Sequence, residues 1–370
     1  MTRIRTTHTG SLPRPDDLVD AIIAGDHDHR RSRSAAAVAD VVRHQVELGI
    51  EIVNDGEMPR VGFASYVKDR LGGFVDDAAS QPYTHTDIAA HPDFVKREPR
   101  WGSTRGFPTC RGALRPGDPA VLQAEIAALT SAAAAAGATD LFMTAPSPGI
   151  ISIFFGDQFY GDRAAYLHAI GEAMRPDYEA IAAAGLTLQL DCPDLAMGRH
   201  ARFGQLTDEE FLGQAALAVE ALNHATRNIP PEQMRVHLCW GNYEGPHDRD
   251  IELASLIGEV LRLRPAGLSL EACNPRHGHE WEVFEGVVLP PGKYLIPGVI
   301  DSTTNFVEHP RLVAQRLATW IRVVGADRVV AGTDCGFGTT VVRGWRVVPS
   351  VTWAKLAALV EGARLAGAST

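Results

Sequence analysis

Only five cysteines occur in 370 residues, an odd and sparse set without a Cys-x-x-Cys pair. That excludes a disulfide framework and a compact zinc knuckle, and makes free thiols in a reducing compartment the expectation. Long apolar runs are missing too. The N-terminus, Met1-Thr-Arg-Ile-Arg-Thr-Thr-His8, has no hydrophobic run to serve as a signal peptide, and we read no uninterrupted apolar stretch of membrane-spanning length elsewhere. Basic residues are the minority charge: 35 Lys and Arg against 45 Asp and Glu leave a net charge of −10. Neither a nucleic acid nor an anionic membrane surface is expected as the main partner. No Gly/Ser linker, low-complexity tract or second copy of a pattern divides the chain, so one domain over 1–370 is expected, in a soluble cytoplasmic enzyme.

The chain is 45% hydrophobic and 22% charged, enough to build a sizeable core without a metal. Short apolar runs at 4–10, 50–54, 140–144, 186–191, 236–239, 267–271, 294–301 and 328–333 read as strands. Helical patterns lie at 35–48, 120–136, 164–184, 208–225, 251–263 and 310–324, with a last one at 353–365. Eight such repeats predict an α/β fold, a single (β/α)8 TIM barrel with an insertion between strands two and three. Residues 107–114 in that insertion read as an extra hairpin over the barrel mouth.

The polar residues fall at telling places. Ser11, Glu57, Asp191, His237, Cys239, Glu271, Asp301 and Cys335 stand at the C-terminal ends of the expected strands, where a barrel gathers catalytic groups. His237 and Cys239, two apart on a strand, share a face. Two thiols, an imidazole and a carboxylate suit tetrahedral zinc, whereas magnesium and calcium prefer all-oxygen shells. Glu271 at a buried strand end demands a partner or a cation. Cys335 lies in the glycine-rich Gly332-Thr-Asp-Cys-Gly-Phe-Gly338.

Other readings stay open for several of these residues. His237 and Cys239 alone would also serve as a core pair. Cys273 could replace Glu271, Cys192 could be a donor or a small filler, and Cys110 reads as inert. Arg14, Arg60 and Lys68 could hold an anion or stay solvated. Trp240, Tyr243, Phe154, Phe155 and Trp281 could line an apolar pocket or merely pack. Arg276, His277 and His279, after the sixth strand, could bind an anionic head group or donate a proton. A hydrolase of the amidohydrolase kind would use a His-x-His pair after strand one, where this chain offers only His8.

The whole chain resembles the catalytic C-terminal barrel of the cobalamin-independent methionine synthase family, and its stand-alone single-barrel relatives above all. The matching segments are His8-Thr-Gly-Ser11-Leu-Pro, Asn54-Asp-Gly-Glu57-Met-Pro-Arg, Gln189-Leu-Asp191-Cys-Pro, His237-Leu-Cys239, Ser269-Leu-Glu271, Pro297-Gly-Val-Ile-Asp301 and Asp334-Cys335-Gly. The resemblance implies zinc held by His237, Cys239, Glu271 and Cys335, with Ser11, Glu57 and Asp191 gripping the amino acid part of homocysteine. It implies methyl transfer to that thiol, giving methionine. This sequence departs from the family pattern in three ways. These 370 residues are expected to hold one barrel and not the family's N-terminal one, Cys192 replaces a glutamate, and Ser302-Thr303-Thr304-Asn305 follows Asp301 where the family places a histidine.

The departures open the choice of alkyl donor, which could be a folate, a simpler methyl compound or a corrinoid methyl-donor protein. They also admit an alternative: a zinc-dependent thiol transferase or lyase resembling epoxyalkane:coenzyme M transferase, with Arg276 anchoring a sulfonate. His277 and His279 are then the expected proton donors, beside Asp301. A zinc hydrolase or non-catalytic zinc protein is the third reading.

Overall fold

Strands buried on both faces pair in parallel, because crossover helices must cover the sheet from outside. The computed structural model describes residues 3–77, 80, 85–97, 107–339, 341 and 346–368. Its strands are β1 (Ile52–Val53), β2 (Leu71–Val75), β3 (Thr109–Pro116), β4 (Asp140–Pro146), β5 (Gly156–Asp157), β6 (Thr187–Asp191), β7 (Met234–Leu238), β8 (Gly267–Leu270) and β9 (Tyr294–Pro297). Six of them form one curled parallel sheet in the order β1-β4-β6-β7-β8-β9. Its register sets Gln189 beside Arg235, Asp191 beside His237, and His237 beside Ser269.

The segment expected as the eighth strand meets the β9 edge through isolated parallel bridges, Leu295 with Val329 and Gly298 with Gly332, and a third bridge, Thr6 with Ala331, joins it to the segment expected as the first. The Ile52 amide donates to Thr6 O at 3.0 Å, the Thr7 amide to Ala331 O at 2.9 Å, and the Val330 amide to Leu295 O at 2.9 Å. Regular ladders fail there because threonine side chains compete for the backbone. Thr7 Oγ1 donates to Ile52 O at 3.0 Å, and Thr9 Oγ1 to Thr333 O at 3.0 Å.

Gln189 and Arg235 are buried against the curled sheet, two residues before Asp191 and His237 on their strands. The Arg235 guanidinium lies 3.6 Å from the Phe142 ring centre and donates to Gln189 Oε1 at 2.8 Å, Thr7 Oγ1 at 3.0 Å and His8 O at 3.0 Å. It therefore ties the first segment to β6 and β7, and the alternation of strand residues then carries Asp191 and His237 upward on the same face.

Most expected helices appear with small changes of boundary, among them Pro119–Ala136, Arg163–Ala183, Asp208–Ala225 and Pro310–Val324, whereas the one expected from residue 35 already begins at His27 and runs His27–Leu48. Asp118, Asp162 and Thr207 cap three of them, the last in a capping box with Glu210. Pro119–Ala136 is long and apolar enough to cross a membrane by length and composition, although Gln123, Glu125, Thr130 and Ser131 interrupt its apolar run. It instead covers the sheet with Leu122, Ile126 and Leu129, and its Glu125 pairs with Arg70 at 2.9 Å. A smaller sheet, β2-β3-β5, occupies the region where the extra hairpin was expected, with β3 antiparallel to β2.

Candidate active site

His237 is the last residue but one of β7, and Cys239 follows directly after the strand, while Cys335 arrives from the turn after the edge segment 329–332. One donor atom from each lies within 4.8 Å of the other two, and all three side chains are buried. Cys335 Sγ is 3.4 Å from His237 Nε2 and 3.2 Å from Glu271 Oε1. Tetrahedral zinc with ordinary bond lengths keeps its donors roughly 3.3–3.8 Å apart, so these side chains already stand at close to ligand spacing. Glu271 joins the group through Cys335, and its other oxygen accepts the Trp240 amide at 2.9 Å. On the far side of the His237 ring, Nδ1 faces Ser269 Oγ at 3.4 Å, a contact that orients the imidazole.

The electrostatics fit a cation. Burial, with Arg235 adding to it, pushes His237 down to about 3, so the imidazole is neutral and ready to ligate. Burial raises the Cys335 thiol well above its usual range, and it raises Glu271 as well. Cys239 is drawn down by its hydrogen bond with Cys335, but burial and Glu271 outweigh this and leave it raised. Burial thus shifts all four donors toward their neutral forms. A divalent ion supplies the charge that their ionised forms lack.

A second group faces the same cavity, which holds about 990 Å3 and is lined by Ser11, Glu57, Asp191, His237, Cys239 and Cys335. Glu57 lies in the left-handed region at φ 57°, directly after Gly56 at φ 62°. Asn54 and Asp55 lock this turn by accepting the Gly56 amide at 2.8 Å and the Glu57 amide at 2.9 Å. Such strain in a non-glycine residue persists only where the surroundings enforce it. Thr144 Oγ1 donates to Glu57 Oε1 at 2.9 Å, while Glu57 Oε2 has no hydrogen-bond partner among the described residues. Burial raises Glu57, and burial together with the Glu57 charge raises Asp191 well above the carboxylate range. Ser11 Oγ accepts the Gly338 amide at 3.2 Å.

Four sequence expectations are not brought to this cavity. Arg276 and His279 are exposed in the turn after β8 and do not line it. His277 is buried, but Nδ1 is 2.9 Å from Glu280 and Nε2 2.9 Å from Asp250, so neither ring nitrogen is available for proton donation. Its ring stacks on Trp240 at 3.9 Å, which makes that tryptophan a packing residue. Asp301 turns its carboxylate back on its own loop, accepting from the Thr303 amide at 3.0 Å and the Thr304 amide at 2.9 Å.

Arg14 and Arg60 prove to be buried struts. Arg14 donates to Glu57 O at 2.7 Å and Arg60 to Thr144 O at 2.8 Å. Cys192 is a buried filler whose thiol faces Leu190 O, and Cys273 is spent on Asp334. Among the aromatics, Tyr243, Phe154 and Phe155 line the cavity. Sequence reasoning missed the role of Asp334, which accepts the amides of Ala272 at 2.9 Å, Cys273 at 3.1 Å and Asn274 at 3.0 Å. It thereby fastens the chain just past Glu271. Its position next to Cys335 was the available signal.

No protein-family model matches the chain. Among curated relatives, a Bacillus subtilis protein, YxjH, is 26% identical over 382 residues, covering 96% of this chain and 93% of its own length. A Sulfolobus acidocaldarius methionine synthase is 23% identical, covering 91% of this chain and 86% of that enzyme. The 5-methyltetrahydropteroyltriglutamate–homocysteine methyltransferase of Nitratidesulfovibrio vulgaris is 26% identical over 97% of this chain, which spans 41% of that longer protein. A 2-hydroxypropyl-CoM lyase of Xanthobacter autotrophicus matches over 40% of this chain at 27% identity, the match spanning 44% of that lyase. The fold is that of a B12-independent methionine synthase from Shewanella sp. W3-18-1, with a TM-score of 0.71, 20% identity, and coverage of 98% of this chain and 97% of that one. The chain's homologues and structural neighbours are thus members of the cobalamin-independent methionine synthase family, stand-alone single-barrel relatives among them, with the lyase in the same superfamily.

Proposed function

We propose that the chain is a zinc-dependent transferase that alkylates a small-molecule thiol, with methyl transfer to homocysteine as the reaction the site fits best. In this reading residues 1–370 are one domain. The curled sheet and its two bridging segments close as a (β/α)8 ring, with the β2–β3 region as its insertion. The carrying observation is that a Cys–His–Cys donor set and two buried carboxylates face a single cavity.

His237, Cys239, Glu271 and Cys335 would hold the zinc. When bound, zinc lowers the pKa of a coordinated thiol, so that the sulfur is a thiolate at neutral pH. Glu57 and Asp191 receive the substrate ammonium, which supplies the positive charge that these raised carboxylates lack. Ser11 Oγ already accepts from Gly338, so its own hydroxyl proton is left to donate to the substrate carboxylate. Phe154 and Phe155 wall off water and receive the donor. Across the reaction a carbon–sulfur bond forms and the carbon–donor bond breaks, while the thiol proton ends on the departing donor.

A methylated pterin, the donor class named in the longer relatives, suits this aromatic wall. A corrinoid partner is dropped, because the relatives are cobalamin-independent. The lyase reading is weaker, since Arg276, the expected sulfonate anchor, is exposed and outside the cavity. Zinc-edge X-ray absorption of the zinc-loaded protein tests the proposal. Homocysteine should add one sulfur to the shell, and a mercaptosulfonate should not. An unchanged shell with every thiol would end the reading.

A further inference from the structure

Another part of the cavity wall is formed by His85 and Tyr243. Around them lies a cluster of buried polar side chains that the thiol chemistry does not use. His85, Asp87 and His200 each bring one ligand-capable atom within 4.8 Å of the others, and all three are buried. They are assembled from distant parts of the chain. His85 and Asp87 flank the start of the short helix Thr86–Ala89, and His200 lies in Gly198–Ala201. Asp87 Oδ2 accepts from the Tyr243 hydroxyl at 2.6 Å and from the His247 amide at 3.1 Å. Asp87 Oδ1 is equally buried, yet it has no hydrogen-bond partner among the described residues.

His200 is placed as a ligand would be. Its Nδ1 lies 3.0 Å from Asp250 Oδ1, and its Nε2 points the other way, 3.2 Å from the Tyr243 hydroxyl. A carboxylate thus stands behind the imidazole, as it does at metal-binding histidines, although His200 Nδ1 and Asp250 Oδ1 are an ion-pair contact and neither atom has a hydrogen-bond partner among the described residues. Asp250 has its own compensation in His247 and His277, each 2.9 Å away. Among the described residues, Asp87 has no such cation at hydrogen-bonding distance. A buried carboxylate with a bare oxygen calls for a cation, and two imidazoles with one carboxylate are the donor set of divalent iron and zinc sites. Burial, with His200 adding to it, pushes His85 down to about 3, which keeps it in the neutral form that binds metals.

We infer that His85, Asp87 and His200 form a second divalent-cation site, for a first-row transition metal such as zinc or iron(II), opening on the same cavity as the cysteine centre. The ion occupies the Asp87 oxygen that no donor reaches. Three protein ligands leave a coordination position for an oxygen ligand entering from the cavity. The two centres share no ligand, so this inference stands or falls independently of the thiol reading.

Cobalt(II) titration of the metal-stripped full chain tests it. The cysteine centre gives an intense sulfur-to-cobalt charge-transfer band, whereas a nitrogen and oxygen site adds only weak visible bands. The expected result is two equivalents per chain. Asp87→Asn and His200→Gln should each reduce this to one and keep the charge-transfer band, while Cys335→Ser should do the reverse. A single equivalent that carries the charge-transfer band, or a second equivalent that survives both variants, overturns the site; a single equivalent without that band, lost in both variants, supports it and counts against the cysteine centre instead. Should the variants not fold, anomalous diffraction at the cobalt edge from the unmodified protein decides. A peak bonded to His85, Asp87 and His200 supports the site, and its absence at saturating cobalt refutes it.

Discussion

Charge at single buried residues sets what the cavity can bind. Removing the charge of Glu57 or Asp191, as Glu57→Gln or Asp191→Asn, should cost about 1.5–3 kcal/mol of ammonium binding. The Michaelis constant for homocysteine should rise roughly 10- to 100-fold while kcat changes less, as steady-state kinetics would show. Cys335→Ser should lose both the metal of the cysteine centre and the alkyl transfer, measured by metal analysis and product formation. His8 makes a different kind of prediction. It is held neutral in the interior, its pKa pushed from the ordinary 6.5 down to about 4 by burial. As pH falls the unfolded chain takes up this proton first, so the stability is full above pH 6.5 and is lost as pH falls toward 4. Urea unfolding at about pH 7 and about pH 5 should show His8→Gln removing on the order of 2 kcal/mol of that acid loss. The proposed ligands and the carboxylate pair were legible as residue types, because buried thiols and carboxylates at strand ends are costly without a function. The fate of Arg276, His277 and His279 was not. Asp250 and Glu280, neither flagged by any motif, claim His277 and fix that turn away from the cavity.

Turns between elements decide whether a ligand at a strand end points inward. Asp334 gathers three consecutive amides past β8, and Gly298 leaves it room, since a Cβ there would come within 2.2 Å of Asp334 Oδ1. Asp334→Ala should therefore destabilise the fold by about 2–3 kcal/mol through the amides it strands. It should also weaken metal binding roughly 10- to 100-fold by loosening Glu271 and Cys335. Thermal unfolding and a chelator competition measure the two effects. Helices such as Asp208–Ala225 were readable from apolar period and capping residues. The first and eighth strands were readable as apolar runs but not as bridges, because the competing threonine hydroxyls find their partners across the chain.

Metal binding at the proposed centre would couple the scattered loops to the stability of the whole molecule. A ligand that binds only the folded chain stabilises it by about 2.7 kcal/mol at a hundredfold excess over its Kd. For a chain of 370 residues this corresponds to a rise of about 3 °C in Tm on adding zinc to the stripped protein. Removing the metal with a chelator should reverse the rise, and Cys335→Ser should abolish most of it.

The sequence by itself determined the alternation of apolar runs and helices, the absence of a disulfide scaffold, and the donor types at the strand ends, since these follow from local period and side-chain chemistry. Only the tertiary structure decided which of those polar residues meet. The reach of Cys335 to His237 and Glu271, the bare oxygen of Asp87, and the capture of His277 by Asp250 are contacts between residues far apart in the chain. Their distances are fixed by how the sheet curls around Arg235, which no local pattern encodes.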